Sequence, residues 1–238
     1  MAIAGIVAGG TGSRMGSDIP KQFLDLDGKP VIIHTIEAFL KHEKIRMVIV
    51  GVNPEWTDHM RGLAEQYFNG GVYITPGGAD RNGTIMNIIS YAKESLSCSD
   101  DEIILTHDAV RPFVTKKMID DSIAAMDSCD ICTAAVAATD TMAVSENGVF
   151  VSDFPVRSTM FRVQTPQTFR TGDFIGMLDS VSIDDREKIT DACKLFYMNG
   201  KKVRLIEGSE RNIKLTFPSD FEAARSFMKA MQSVDTCN

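Results

Sequence analysis

A glycine-rich segment near the start of the chain carries two cationic side chains. Glycine takes four of the eight positions from Gly9 to Gly16, and the apolar run before them predicts a buried strand. Arg14 lies inside the segment, and Lys21 comes directly after Pro20. Glycine allows the backbone to approach a ligand closely, and successive N–H groups in such a loop bind anions, phosphates above all. With a guanidinium and an ammonium beside it, the segment predicts a phosphate-binding site.

Three glycine patterns compete for this segment. The dinucleotide-binding pattern G-x-G-x-x-G needs a third glycine where Met15 stands, and Asp25 comes too early for its ribose-binding acid, which disfavours a dehydrogenase. The phosphate-loop pattern needs a glycine followed by Lys and then Ser or Thr, and no such run occurs here. The segment matches the G-x-G-x-R…P-K pattern of nucleotidyltransferases at every position. An ordinary strand and turn with two surface cations is the alternative without chemistry.

Two further loops have unusual chemistry, and each follows a predicted strand. The loop 76–84 is rich in glycine and opens a predicted helix over about 84–95, and the loop 107–112 reads H-D-A-V-R-P. Apolar runs predict strands at 47–50, 72–74 and 103–106, and helical periodicity predicts helices at 31–40 and 55–68. This alternation predicts an α/β fold, a mostly parallel sheet flanked by helices. Since ligands bind at the carboxyl ends of such strands, we expect the loops 9–21, 76–84 and 107–112 to meet in one crevice.

Asp108 is the expected metal ligand of this crevice. Mg²⁺ takes one or two carboxylates together with phosphate oxygens, and Asp108 lies at a predicted strand end facing the glycine loops. Its structural alternative is a helix N-cap. Arg111 in the same loop predicts a phosphate contact or a surface cation, and His107 predicts a satisfied buried histidine more than a ligand or base. No Ser-His-Asp or Cys-His arrangement stands out, which fits transfer to a phosphate nucleophile that needs no general base.

The alternation is interrupted over about 138–164. Asn147-Gly148 between two β-prone runs is a strong hairpin signal. An isolated hairpin is marginal in water, so we expect this β-hairpin arm to project and to pack on a second subunit, with packing on its own domain as the alternative.

The remaining chain returns to the core. Thr190-Asp191 predicts the cap of a helix that ends before Gly200, and Val203–Ile206 predicts a strand. A short strand over 212–215 and a last helix from Pro218 to about 231 complete the predicted elements. No repeat or linker is evident, so the whole chain, 1–238, is interpreted as one domain.

The composition narrows the class of protein. The 238 residues are 44% hydrophobic and carry a net charge of −7, which disfavours a nucleic-acid partner. No apolar run is long enough for a membrane span, and no signal peptide is visible. Five scattered cysteines fit a reducing cytoplasm. Cys129 and Cys132 form a lone C-x-x-C without the further ligands of a zinc site, so a structural role is expected.

Taken together, the motifs resemble those of the polyol-phosphate cytidylyltransferases over nearly the whole chain. They are A-G-G-x-G-x-R at 8–14, P-K-Q at 20–22, G-G-A-D-R at 77–81, H-D-A-V-R-P at 107–112, D-T at 140–141, T-P-Q-x-F at 165–169, T-D-A at 190–192 and N-I-K at 212–214. The resemblance implies a Rossmann-like nucleotidyltransferase fold, CTP, Mg²⁺ and a homodimer formed through the β-arm.

The resemblance also implies roles for individual residues. As catalytic residues it implies Arg14, Lys21 and Lys214. As nucleotide-binding residues it implies Ala8, Gly9, Gly10, Thr11, Gly12, Gly78, Asp80, Arg81 and Thr84. As acceptor-binding residues it implies Asp108, Arg111, Thr141, Arg157, Thr165 and Thr190, with Asp108 also holding the metal and with Thr141 and Arg157 acting across the dimer. For Thr190 plain N-capping is the alternative, and for Lys214 a solvated strand charge.

Two subfamilies of this resemblance differ in their acceptor. One makes CDP-methylerythritol for isoprenoids, and the other makes CDP-ribitol for teichoic acid or capsule. The isoprenoid enzymes usually read H-D-A-A-R-P and T-D-E-A-S, where this chain has Val110 and the run Ala192-Cys193-Lys194. The resemblance therefore favours ribitol 5-phosphate, with methylerythritol 4-phosphate as the alternative.

Overall fold

A seven-stranded sheet lies between two layers of helices in the computed structural model, which describes residues 1–10, 19–186 and 189–235. The strands are β1 (Ala2–Ala8), β2 (Asp25–Leu26), β3 (Lys29–Pro30), β4 (Ile45–Val52), β5 (Val72–Pro76), β6 (Ile103–Asp108), β7 (Ile131–Ala137), β8 (Phe161–Arg170) and β9 (Val203–Glu207). The helices are α1 (Val31–Leu40), α2 (Thr57–Tyr67), α3 (Arg81–Leu96), α4 (Lys116–Ala125), α5 (Thr171–Ser180), α6 (Ile183–Arg186), α7 (Ala192–Met198) and α8 (Pro218–Asp235).

The order of the strands confirms the predicted α/β fold. The sheet runs β5-β4-β1-β6-β8-β7-β9, and only β8 is antiparallel to its neighbours. The short strands β2 and β3 pair separately. In the register of β1 with β6, Val7 lies opposite Asp108, so the end of the first strand and the predicted metal ligand reach the same edge of the sheet.

The two faces of β1 explain why the sheet is covered on both sides. Every residue of β1 except Val7 is buried. Ala4 and Ile6 pack in the cluster that includes Phe39 of α1, whereas Ile3 packs in the cluster that includes Ile88 of α3. A strand with apolar residues on both faces requires helices on both faces, as expected for parallel sheets.

The predicted short strand over 212–215 is wrong. These residues have no regular structure because their polar groups bond to neighbouring elements. The Asn212 side chain donates to the carbonyl of Thr165 at 2.8 Å, and the N–H of Leu215 donates to the carbonyl of Val110 at 3.0 Å. The segment therefore crosses the carboxyl edge of the sheet.

The arm projects as predicted, but its regular hairpin strands do not form. Between residues 139 and 159 only Pro155 is not exposed. A single bridge joins Val144 to Asp153, and the Asn147 side chain accepts the N–H groups of the turn. With its apolar side chains uncovered in the single chain, the segment lacks the packing that stabilises longer strands.

The predictions on membrane spans and on the C-x-x-C pair can be compared with the described residues. No helix in these ranges is both long and apolar enough to cross a membrane. Cys132 lies buried in β7, and burial raises the pKa of its thiol to about 12, which fits the structural role expected for the C-x-x-C pair.

Candidate active site

A cleft of about 480 Å³ opens at the carboxyl edge of the sheet. The described parts of all three predicted loops line it, which confirms that they converge. The lining residues are Val7, Ala8, Gly9, Gly10, Lys21, Gln22, Gly78, Ala79, Asp80, Arg81, Thr84, Asp108, Ala109, Val110, Thr190, Lys214 and Thr216. Arg14, Thr11 and Gly12 lie outside the described residues, so the roles implied for them stay predictions.

The end of β1 is held to the turn that carries Lys21. A 3₁₀ turn, Lys21–Phe23, follows Pro20, and the side chain of Gln22 is buried inside it. The Nε2 group of Gln22 donates to the carbonyl of Ala8 at 2.9 Å and to that of Gly10 at 3.1 Å.

The second glycine loop packs tightly against the start of α3. The Asp80 carboxylate caps this helix by accepting the N–H of Gly83 at 2.7 Å. The N–H of Gly78 donates to Oγ1 of Thr84 at 3.1 Å, and a Cβ on Gly78 would lie 2.4 Å from the carbonyl carbon of Gly83. The loop thus brings a helix N-terminus, which favours anions, to the wall of the cleft.

Asp108 is surrounded by three cationic side chains. Arg81 donates to Oδ1, while Lys214 Nζ and Arg111 Nε lie 3.0 and 3.3 Å from Oδ2. The Asp108 side chain is 8% exposed, and that of Lys214 is 45% exposed. Lys214 is therefore not the solvated strand charge that was its alternative.

These cations decide the protonation state of Asp108. Burial by itself raises the pKa of the carboxyl, but Arg81, Lys214 and Arg111 outweigh it and hold the pKa well below its usual range. The carboxylate stays charged and neutralises only part of the surrounding positive charge. The site keeps an excess of cations, as a pocket for anionic substrates requires.

His107 precedes Asp108 in β6. It is buried, and both of its ring nitrogens have hydrogen-bond partners, as expected. Its Nε2 lies 3.0 Å from the carbonyl of Arg111, which can only accept, so Nε2 carries the proton. Its Nδ1 then accepts the Thr165 hydroxyl at 3.0 Å, and that hydroxyl accepts the N–H of Asp108 at 3.2 Å. Burial lowers the pKa of His107 to about 4, so the ring stays neutral near neutral pH.

Thr165 lies beneath the cleft, next to the loop that carries Asp108. It is buried, and its hydroxyl is engaged with His107 and Asp108. This arrangement supports the loop that carries Asp108, and the direct acceptor contact implied for Thr165 stays a prediction.

Thr190 lies at the cleft, and the helix cap is its neighbour. The Asp191 side chain accepts the N–H of Lys194 at 2.9 Å and caps α7. The buried side chain of Asn82, at the start of α3, donates to the carbonyl of Ile189 at 2.9 Å, which connects the second glycine loop to the segment carrying Thr190.

Thr141 and Arg157 are not brought to the cleft within one chain. Both are exposed in the arm, where Arg157 Nη1 donates to the carbonyl of Thr139 at 3.4 Å. Their predicted acceptor contacts stay predictions that require a second subunit.

Direct metal binding by Asp108 does not fit this arrangement. Three cations already bond to its carboxylate, and they would repel a divalent ion placed on the same oxygens. Among the described residues, no group of three or more His, Cys, Asp and Glu side chains could hold a metal. The surroundings of Asp108 therefore do not fit the direct Mg²⁺ ligand that the sequence predicted.

Sequence reasoning missed several residues of the site. Gln22 and Asn212 are polar residues of the motifs P-K-Q and N-I-K. Their place in these motifs was the signal that could have identified them. Asn212 accepts Arg111 Nη1 on its carbonyl at 2.7 Å and so orients that guanidinium. For Asn82 and Thr216 the sequence offered no signal, because their positions depend on the packing of distant segments.

A family model and several relatives match nearly the whole chain. The family model described as IspD, 2-C-methyl-D-erythritol 4-phosphate cytidylyltransferase, matches residues 2–230. A ribitol-5-phosphate cytidylyltransferase from Streptococcus pneumoniae serotype 2 (strain D39) is 43% identical over 233 residues, which cover 96% of this chain and 99% of the relative. The same name and identity apply to the protein of Streptococcus pneumoniae strain R6.

Solved structures share the fold. A 4-diphosphocytidyl-2C-methyl-D-erythritol synthase is 28% identical with a TM-score of 0.78, covering 95% of this chain and 97% of that one. The 2-C-methyl-D-erythritol 4-phosphate cytidylyltransferase of Francisella tularensis is 26% identical with a TM-score of 0.77, covering 95% and 99% of the two chains.

Proposed function

The chain belongs to the family described as 2-C-methyl-D-erythritol 4-phosphate cytidylyltransferase, and we propose that it transfers the cytidylyl group of CTP to D-ribitol 5-phosphate. The products are CDP-ribitol and pyrophosphate. The observation that carries the choice of acceptor is the 43% identity, over nearly the full length of both chains, to proteins named ribitol-5-phosphate cytidylyltransferase. Four solved structures whose titles name methylerythritol enzymes are 24% to 28% identical to this chain.

The charge of the cleft suits this reaction. A phosphate oxygen of the acceptor attacks the α-phosphorus of CTP, the bond to the β-phosphate oxygen breaks, and pyrophosphate leaves. Both reactants are anions, so the barrier depends on offsetting their repulsion and on holding them in line. Arg81, Arg111 and Lys214 supply a cationic wall around Asp108, and Lys21 lines the same cleft.

The roles of single residues follow as part of the proposal. Lys21, together with Arg14 outside the described residues, stabilises the charge that develops at the α-phosphate. The start of the glycine segment holds the triphosphate, and the loop with Gly78 and Asp80 holds the cytidine. Lys214 and Arg111 receive the acceptor phosphate.

Magnesium enters this proposal with the nucleotide. Because Asp108 is already paired with three cations, we propose that magnesium would be brought by the nucleotide and would offset part of the charge of its phosphates. Titration of activity with Mg²⁺ at fixed CTP tests this. Unchanged turnover after removal of all divalent ions with a chelator would refute it.

The arm supports a homodimer. Val149 and Phe150 are each 74% exposed, and Phe154 and Val156 are 63% and 66% exposed, so this segment presents apolar surface that a second subunit can cover. Pairing would also carry Thr141 and Arg157 toward a neighbouring cleft. We further propose that the enzyme works in the cytoplasm and supplies CDP-ribitol for teichoic acid or capsule polymers.

A side-by-side assay tests the acceptor. Pyrophosphate release is measured with CTP and either ribitol 5-phosphate or methylerythritol 4-phosphate. The proposal expects a clear preference in kcat/KM for ribitol 5-phosphate. Preference for methylerythritol 4-phosphate would instead assign the alternative function, the one for which the matching family model is named.

A further inference from the structure

Gln22 makes two hydrogen bonds from one buried amide. Its residue is 2% exposed, and its Nε2 group binds the carbonyl oxygens of Ala8 and Gly10, which lie on either side of Gly9. These three residues form the described start of the glycine segment and line the cleft. Gln22 therefore provides hydrogen bonds to two carbonyl oxygens beside the cleft, in addition to its packing.

Peptide geometry gives these bonds a consequence. A trans peptide unit is planar, so its C=O and N–H groups point in opposite directions. When Gln22 holds the carbonyl of Ala8, it also fixes the direction of the N–H of Gly9 in the same unit. A carbonyl oxygen that turned toward a phosphate would repel it, whereas an N–H group attracts it.

The same side chain connects the glycine segment to Lys21. Lys21 and Gln22 are adjacent in the 3₁₀ turn, and the ring of Phe23 stacks on Trp56 at 5.2 Å and meets His59 edge-on at 4.8 Å. The turn is therefore anchored by aromatic packing on one side and by the Gln22 amide on the other. The amide therefore connects the turn that carries Lys21 to the start of the glycine segment.

We propose that Gln22 is a positioning residue for the triphosphate of the nucleotide, an inference that rests on the proposed function. Its amide turns the carbonyls of Ala8 and Gly10 away from the anion and fixes Lys21 beside them. The amide is required because its nitrogen is a donor. A carboxylate of the same shape would face two carbonyls with a negative charge.

Two variants test this, with a matched control. Gln22→Met keeps the size but loses the donor, and we expect the KM for CTP to rise ~10-fold, as the loss of two neutral hydrogen bonds suggests. Gln22→Glu places a charge there, and we expect a rise of ~100-fold that diminishes as the pH is lowered, because a protonated carboxyl can donate to one carbonyl. In both variants we expect the KM for ribitol 5-phosphate to change less than ~3-fold. This is the change that corresponds to the smallest net contribution of one hydrogen bond. Gln66→Glu makes the same change on the exposed face of α2 and is expected to match wild type.

Folding is followed independently through Trp56, the only tryptophan of the chain, which stacks on Phe23 next to the substituted position. Native fluorescence with a selective rise in the KM for CTP supports the proposal. The proposal is overturned if the KM for CTP stays within twofold of wild type in both variants. It is also overturned if the KM for CTP and the KM for ribitol 5-phosphate rise equally.

The binding of CTP by calorimetry separates this inference from the proposed function. If wild type binds CTP but does not use ribitol 5-phosphate, the acceptor is wrong, and the Kd of the variants for CTP still decides the role of Gln22. A weaker Kd in both variants supports it, and an unchanged Kd refutes it.

Discussion

The ammonium of Lys214 lies 3.0 Å from Oδ2 of Asp108, which joins a segment near the end of the chain to the central strand β6. The bond leaves Lys214 45% exposed toward the cleft, so the ammonium is oriented by the carboxylate but remains accessible to a substrate. This pairing explains how a lysine outside any strand or helix can hold a fixed position.

Replacement of Lys214 tests its proposed contact with the acceptor phosphate. In Lys214→Ala we expect kcat/KM for ribitol 5-phosphate to fall ~10- to 100-fold, since a hydrogen bond to a charged group is removed. The melting temperature should change little, because Asp108 keeps Arg81 and Arg111. Lys229→Ala, an exposed lysine of α8, is the control and should behave as wild type. Equal activity of the two variants would exclude the role.

Replacement of Asp108 tests its part in balancing charge. In Asp108→Asn three cations lose their common anion, so we expect the free energy of unfolding at neutral pH to fall by about 3 kcal/mol. The folded pKa of Asp108 lies below its unfolded value, so its contribution is complete above about pH 4 and is lost as the pH falls further. The difference in the free energy of unfolding between Asp108→Asn and wild type should therefore become smaller as the pH falls below about 4.

Denaturant unfolding as a function of pH measures this difference. Asp58→Asn is the control, because Asp58 pairs with Arg61 on the surface with 96% of its side chain exposed. That variant should differ by less than about 1 kcal/mol. Added pyrophosphate should restore stability to Asp108→Asn more than to wild type, and a variant that pyrophosphate does not stabilise would argue against the cationic wall.

The histidine beneath the site should stay neutral in mild acid. Burial lowers the pKa of His107 to about 4, so nitrogen NMR should show the Nε2–H tautomer unchanged from pH 8 down to about 5. The signal is assigned by its absence in His107→Asn. Because the folded pKa lies below the unfolded one, His107 contributes stability above about pH 6.5 that is lost as the pH falls toward 4. A titration midpoint near 6.5 would contradict the hydrogen-bond network.

Loss of the Thr165 hydroxyl should disturb the same network. In Thr165→Val, His107 Nδ1 and the N–H of Asp108 lose their partner, and we expect the free energy of unfolding to fall by about 1–3 kcal/mol. If Thr165 acts only as support, Thr165→Ser should restore both stability and the KM for ribitol 5-phosphate. A serine variant that is stable yet has a raised acceptor KM would instead indicate a contact made by the methyl group.

Two glycines offer a paired test of the role proposed for the second glycine loop, 76–84. A Cβ on Gly78 would lie 2.4 Å from a backbone atom of Gly83, so Gly78→Ala must displace the loop, and we expect a ~10-fold or greater rise in the KM for CTP. Gly62 in α2 has nothing within 4 Å of such a Cβ. Gly62→Ala should leave activity unchanged and stabilise the protein by up to about 1 kcal/mol. An unaffected CTP KM in Gly78→Ala would remove the loop from the proposed nucleotide site.

The arm should control the oligomeric state. Phe150 and Phe154 are 74% and 63% exposed, so the double change Phe150→Ser and Phe154→Ser should leave the fold of the single chain intact. We expect sedimentation velocity to show a dimer for wild type and a monomer for the variant, because the apolar contact area is lost. A wild-type protein that sediments as a monomer would refute the proposed dimer.

Local sequence signals were sufficient to predict most strands and helices of this protein. The apolar run over β1, the helix Val31–Leu40 and the alternation of strands with helices all follow from periodicity, and the sheet confirms them. Motif spacing also indicated that Lys21, Asp80 and Asp108 belong to one crevice, because parallel strands end at a common edge.

Which of these groups are in contact depends on the packing of segments that are distant in the sequence. Asp108 bonds to Arg81, Arg111 and Lys214, and the segment 212–215 crosses the sheet edge instead of forming a strand. Such contacts depend on the order of the strands and on long-range packing. Local propensity contains no information about either. For the same reason the sequence predicted a metal ligand at Asp108, whereas the fold makes that carboxylate the shared partner of three cations.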